Sequence, residues 1–276
     1  MKLNNGVIMP NLGLGTFLMT NEEALEIIPK ALAVGYRHID TAQMYGNEEA
    51  IGKALKTVDL KREEYFITTK LMPKYLGYEG AIREINNSLE KLDLDYIDLI
   101  LIHWPSQDYA VNSETWRAFE ELYEAKKVRA IGVSNFNIHH MDALLKTAKI
   151  KPMVNQIEMH PGLQQATQLK YLTSHNIKMI SYGPFMRGEV FNKEGRYYQV
   201  FKEIADKYQK TVAQIIIAWG LQRGIFMIPK TKTVSRLEEN FLGDQIILTD
   251  DEMTKIALLN RGKKVYTDPD NFTFYD

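Results

Sequence analysis

The sequence predicts an α/β protein: a single (β/α)8 barrel domain over residues 1–276, with an N-terminal β-hairpin and an extra C-terminal helix and tail. Short apolar runs rich in β-branched residues alternate with stretches of helical period, eight times over. The runs are apolar throughout rather than alternating, which implies a parallel sheet covered on both faces. No Pro/Gly/Ser-rich linker or internal repeat divides the chain, and eight β–α units in about 250 residues is the size of one closed barrel.

The elements follow in order. KLNNGVIMP reads as a small hairpin turned at Asn5-Gly6. Strands are predicted at 12–16 (LGLGT), 36–41 (YRHIDT), 65–70 (YFITTK), 97–102 (IDLILI), 128–133 (VRAIGV), 153–157 (MVNQI), 177–181 (IKMIS) and 225–229 (IFMIP). Between them lie helices: in 80–92, Ile82, Ile85, Leu89 and Leu92 recur at spacings of three and four and form one apolar stripe. Thr20 with Glu23, and Ser235 with Glu238, have the form of a capping box. Thr249 with Glu252 opens a further helix near 249–260, after the eighth unit. The rival architecture is a doubly wound dinucleotide-binding sheet. Its fingerprint fails here, because "GLGTFL" (13–18) has Leu18 where the third glycine belongs.

Composition narrows the function classes. With 34 basic and 35 acidic side chains the net charge is −1, which gives no electrostatic footprint for nucleic acid. The absence of cysteine excludes disulfides, zinc–thiolate sites and a cysteine nucleophile. MKLNNGVIMPN lacks the apolar core of a signal peptide, and runs such as IDLILIHW fall far short of the roughly 18 residues a membrane span needs. The expectation is a cytoplasmic protein without membrane or nucleic-acid partners.

Barrel active sites lie at the C-terminal ends of the strands. Those ends read Thr16, Asp40 with Tyr45, Lys70, His103, Ser134 with Asn135, Gln156, Tyr182 and Lys230. Any one of them is as readily a satisfied core residue. Eight polar ends on one face would be desolvated to no purpose unless they bind something. A Tyr hydroxyl ionises near pH 10, so Tyr45 is a poor acid unless a cation such as Lys70 stabilises its phenolate. Asp40 can hold Lys70, and His103 can orient a carbonyl oxygen. The set holds no Ser or Cys nucleophile and no metal cluster, so electrons must come from a cofactor.

These residues carry a resemblance to the aldo-keto reductase superfamily that runs from residue 3 to residue 276. GYRHIDTAQMYGNE (35–48) resembles the signature around its catalytic Asp and Tyr, TTKL (68–71) the Lys motif and LIHWP (101–105) the His motif. IGVSNF (131–136), NQIEMHP (155–161) and IPKTKTVSRLEENF (228–241) are similar to its nicotinamide and adenosine-phosphate segments. The resemblance implies a (β/α)8 barrel that uses NADPH to reduce aldehydes, α-dicarbonyls and some ketones, as a monomer. It makes Tyr45 the general acid, Lys70 the group that lowers its pKa, Asp40 the partner of Lys70 and His103 the carbonyl-orienting residue. Ser134, Asn135 and Gln156 would bind the nicotinamide carboxamide, Tyr182 would stack on its ring, and Thr16 and Gly183 would line the cofactor site. Lys230, Thr231 and Arg236 would grip the 2′-phosphate, with Glu239 and Asn240 near the adenine. Phe17, Met72 and Trp104, with Tyr75, would form an apolar mouth covered by the segment after Gly262.

Three positions depart from the commoner pattern. Gly183 stands where many relatives carry Ser, which removes a hydroxyl able to reach the pyrophosphate, and Phe185 replaces Leu. Met72 stands where Trp is frequent. Other readings stay open: a lyase using Lys70 as a Schiff base, or a barrel that binds NADPH without catalysis. Tyr123 and Lys127 have a short-chain-dehydrogenase spacing but fall on a helix, and His139, His140 and Asp142 suggest a metal without further ligands at binding spacing.

Overall fold

The computed structural model describes residues 1–273. The strands are β1 (Leu14–Gly15), β2 (His38–Asp40), β3 (Phe66–Leu71), β4 (Leu99–Ile102), β5 (Ile131–Ser134), β6 (Val154–Glu158), β7 (Lys178–Tyr182) and β8 (Phe226–Met227). Each pairs in parallel with the next in sequence order. A parallel bridge between Leu12 and Met227, with Gly13 N donating to Met227 O at 2.9 Å, closes the ring. Nearly every strand residue is buried, as the uninterrupted apolar runs require of a sheet covered on both faces.

Around the strands lie α1 (Asn21–Val34), α2 (Glu48–Leu55), α3 (Tyr78–Leu92), α4 (Tyr109–Glu124), α5 (Ile138–Leu145), α6 (Ala166–Ser174), α7 (Arg196–Tyr208), α8 (Val212–Gln222), α9 (Val234–Phe241) and α10 (Asp250–Ala257). Two helices, not one, separate β7 from β8. α8 is buried from Val212 to Gly220 and packs on β8 and α9, whereas α7 buries only Phe201, Ile204 and Ala205 between α8 and α10. None of the described helices is long and apolar enough to cross a membrane.

The expected starts of α1 and α10 hold, since the Thr20–Glu23 and Thr249–Glu252 capping boxes are formed, but α10 ends at Ala257, short of the expected 260. The Ser235–Glu238 pair is not a cap. α9 starts a residue earlier than Ser235, with Thr233 at its N-cap, because Thr231 Oγ1 already accepts the Thr233 N–H at 3.1 Å and sets the turn. In α3 the buried face centres on Ala81, Ile85, Ser88, Leu89 and Leu92, and Ile82 lies at its edge. The face is rotated toward Ser88 because that hydroxyl accepts from Gln43 Nε2 at 2.9 Å, under the loop after β2.

The N-terminal hairpin caps the end of the barrel opposite the strand C-termini. It is a single antiparallel bridge, Lys2 to Ile8, around a Leu3–Gly6 turn in which Gly6 takes φ 91°. Asn4 Nδ2 donates to Pro152 O at 3.0 Å and Asn5 Nδ2 to Arg129 O at 2.9 Å, so the turn is fastened to the barrel floor. Asn5 also reaches the Tyr123 hydroxyl at 3.4 Å, which places the Tyr123–Lys127 pair at that floor, away from the strand ends.

Candidate active site

The loop after β2 is built by side chains that replace absent secondary structure. Thr41 Oγ1 donates to Asn47 Oδ1 at 2.7 Å, and Asn47 Nδ2 donates to the carbonyls of Thr16 and Met19 at 3.1 and 3.2 Å. Gln43 accepts the Met72 N–H at 2.8 Å. Buried Asn, Thr and Gln groups satisfied in this way fix a loop as firmly as a ladder would. The turn 43–45 therefore delivers Tyr45 to the barrel mouth.

Lys70, wholly buried in β3, donates to Asp40 Oδ1 at 2.5 Å, to Thr41 O at 2.7 Å and to the Tyr45 hydroxyl at 3.4 Å. All three of its protons face acceptors, an arrangement that suits an ammonium rather than the neutral amine a Schiff-base lysine needs. The second Asp40 oxygen is taken by Gln156 Nε2 at 2.7 Å. This contact ties β6 to β2 across the barrel and was not expected from the sequence.

The His103 ring packs edge-on to Tyr45, with centroids 5.7 Å apart. Burial, and then the Lys70 charge, hold its pKa well below the ordinary 6.5, so the ring is neutral. Its Nδ1 is sealed without a partner among the described residues, which leaves Nε2 as the nitrogen open to a ligand. Burial, followed by the Asp40 charge, pushes the Tyr45 phenol well above 10. This is opposite to the lowering expected of Lys70. Desolvation opposes the phenolate more strongly than an ammonium already held by Asp40 favours it.

The remaining strand ends converge on the same face. Thr16 Oγ1 donates to Asp40 O at 3.0 Å, and Ser134 Oγ to Gln156 O at 2.9 Å. Asn135, in the left-handed region at φ 63°, donates to His103 O at 2.9 Å and accepts from the Tyr182 hydroxyl at 2.7 Å. At the end of β8, Lys232 pairs with Glu23 at 2.7 Å, whereas Lys230 and Arg236 have no acidic partner among the described residues. Burial, and after it the Lys232 charge, lower the Lys230 pKa, with the Glu23 charge opposing them. Two unneutralised cations beside the start of α9 fit a bound phosphate. Thr231 and Asn240 are buried there, Glu239 is half-buried and Arg236 is exposed.

The apolar mouth is also present. The Phe17 ring lies 5.2 Å from that of Tyr45, Met72 is half-buried, and Trp104 stacks flat on Phe272 at 4.2 Å. The tail after Gly262 thus covers the mouth, held by Gln107 Nε2 to Pro269 O at 2.9 Å and Asn137 Nδ2 to Asp270 Oδ1 at 2.7 Å. Residues 274–276 lie outside the described residues. Sequence reasoning missed Tyr266 of this tail, half-buried and edge-on to Tyr182 at 5.2 Å. Nothing periodic marks it.

Asp270, not Asp142, joins His139 and His140, and their ligand atoms lie within 4.8 Å of one another. Asp142 instead accepts from the Tyr171 hydroxyl at 2.5 Å. His140 Nδ1 accepts the Asn137 N–H at 3.1 Å, so the proton of its neutral ring sits on Nε2, the nitrogen that faces Asp270. That polarity is wrong for a metal, which needs a lone pair there.

The family model of the Aldo/keto reductase family matches residues 11–261. The chain is 45% identical to the glyoxal reductase of Bacillus subtilis (strain 168), over 99% of this chain and 97% of that protein. It is 44% identical to the methylglyoxal reductase DkgA of Escherichia coli (strain K12), over 98% of this chain and 97% of that one. A crystal structure of a Gox0644 variant in complex with NADPH is similar with a TM-score of 0.92 and 36% identity, over 99% of this chain and 98% of that one.

Proposed function

The chain belongs to the aldo/keto reductase family, and from that footing we propose that it reduces small aldehydes and α-dicarbonyls, with some ketones, to alcohols. NADPH, when bound, supplies the hydride. Everything else is the work of the chain. His103 Nε2 donates to the carbonyl oxygen and aims it, and Tyr45 gives that oxygen its proton as the alkoxide forms. Lys70, 3.4 Å from the hydroxyl, stabilises the phenolate left behind, and Asp40 keeps Lys70 charged and in place. Ser134, Asn135 and Gln156 hold the carboxamide and Tyr182 the ring of the nicotinamide. Lys230, Thr231 and Arg236 take the 2′-phosphate, with Glu239 and Asn240 at the adenine. Phe17, Met72 and Trp104 shape the mouth for a small apolar carbonyl compound.

The observation that carries this reading is the buried chain of contacts from Gln156 through Asp40 and Lys70 to Tyr45. The preference for α-dicarbonyls is supported by the names of two relatives, a glyoxal and a methylglyoxal reductase. The test is loss of the reduced-nicotinamide absorbance when glyoxal, methylglyoxal, an aromatic aldehyde or a ketone is added, ranked by kcat/KM. No oxidation of NADPH with any of them sinks the reading.

A further inference from the structure

Gly183 follows Tyr182 at the end of β7 and takes φ 63°. A Cβ placed on it would lie 2.5 Å from Tyr266 Cε2 and 2.9 Å from the Tyr266 hydroxyl oxygen. Any side chain at 183 and the phenol of Tyr266 therefore compete for one space, and in this chain the phenol fills it.

Tyr266 is held there from several sides. Its neighbour Val265 donates its N–H to Glu158 Oε1 at 2.6 Å. Its ring stands edge-on to Tyr182, and the guanidinium carbon of Arg187 lies 4.6 Å from the ring centroid. Arg187 makes no ion pair among the described residues. It and Met186 take φ 52° and 51°, left-handed conformations uncommon outside glycine, so the backbone is strained to bring this cation over the phenol.

A dinucleotide with its nicotinamide at Tyr182 and its 2′-phosphate at Lys230 and Arg236 would carry its two central phosphates past the loop after β7, which begins at Gly183. We propose that the Tyr266 hydroxyl serves those phosphates in place of the side-chain hydroxyl that position 183 lacks, with Arg187 positioning it and adding positive charge. The tail is then part of the cofactor site and not only a wall of the carbonyl pocket. The proposal rests on the reading of the chain as NADPH-dependent. Its chemistry is ordinary: a phenolic O–H and a guanidinium are both donors, and phosphate oxygens are acceptors only.

Tyr266→Phe deletes the hydroxyl and keeps the ring that packs on Tyr182 and under Arg187. With no carbonyl present, dissociation constants are read from quenching of intrinsic fluorescence by NADPH and, separately, by NADH. Both are expected to rise about tenfold and by the same factor, since the central phosphates are common to the two. Unchanged affinity would mean that the ring only packs, and tighter binding that the phenol obstructs; either result overturns the proposal. If the unmodified protein binds neither dinucleotide, the reading as an NADPH enzyme falls together with it. If it binds both and Tyr266→Phe binds equally well, only the role of Tyr266 falls.

Discussion

As the proposed acid, Tyr45 must part with a proton only when a carbonyl oxygen demands it, and burial favours the neutral phenol until then. Removing the hydroxyl while keeping the ring isolates that role. Tyr45→Phe is expected to lower kcat for aldehyde reduction about 10²–10⁴-fold, the usual worth of a positioned acid, with NADPH affinity unchanged. Lys70→Met should fall in the same range, because the phenolate would then form in a dry site without a cation. A near-normal kcat for either variant, measured beside NADPH binding by fluorescence, removes the proton-transfer assignment. Arg236 is proposed to act on a different atom group. A charge that grips the 2′-phosphate alone predicts that Arg236→Met weakens NADPH by roughly ten- to a hundredfold and leaves NADH nearly as it was. Equal losses for both cofactors would place Arg236 elsewhere. Tyr45, Lys70 and Arg236 were all legible in the sequence, because each follows an apolar run or lies in a long ordered motif. The direction of the Tyr45 pKa was not, since it depends on how much water the folded mouth excludes.

At the scale of the element, two sequence pairs of the same form have different fates. Thr249 accepts the Glu252 N–H at 3.3 Å and Glu252 returns the bond to Thr249 N at 2.8 Å. Ser235 sits inside α9 and caps nothing. Thr249→Ala should therefore cost about 1 kcal/mol of stability, and Ser235→Ala less than about 0.5 kcal/mol, as judged by urea midpoints without cofactor. Comparable losses would show that the capping contact in α10 contributes nothing particular. The same limit explains the pair of helices between β7 and β8. A helical period announces that a helix exists, but α8 is buried nearly all round because α7, α9 and the turn at 242–245 pack around it, and α7 stays amphipathic on the outside.

For the whole molecule, pH couples to stability through buried imidazoles. His38 is fully buried, with Nε2 2.9 Å from Thr68 Oγ1, and burial pushes its pKa from 6.5 down to about 4. Between those values the unfolded chain binds the proton and the folded one does not, so stability is complete above pH 6.5 and falls as pH drops toward 4. The share of His38 in that slope is about 1.4 kcal/mol per pH unit. His140, lowered to about 4 by burial and by His139, adds in the same direction. Urea unfolding across this range should be steeply pH-dependent, and less so in His38→Gln by about one proton. An identical slope in the variant would show that His38 takes its proton without unfolding the chain.

The order of the strands, the strand ends Asp40, Lys70 and His103, and the cations Lys230 and Arg236 proposed to bind phosphate are written in the sequence itself. Each is a local pattern: a run of buried residues, a capping signal, a polar residue just past a strand. What only the tertiary structure decided is which of these groups touch. Gln156 meets Asp40 although 116 positions separate them. Tyr266 fills the space over Gly183, and Phe272 lies flat on Trp104, both from a tail without periodicity. Spacing along a chain fixes the face on which a residue lies. It does not fix the partner across a closed barrel, nor how much water that partner displaces, and both the contacts and the pKa shifts follow from those two quantities.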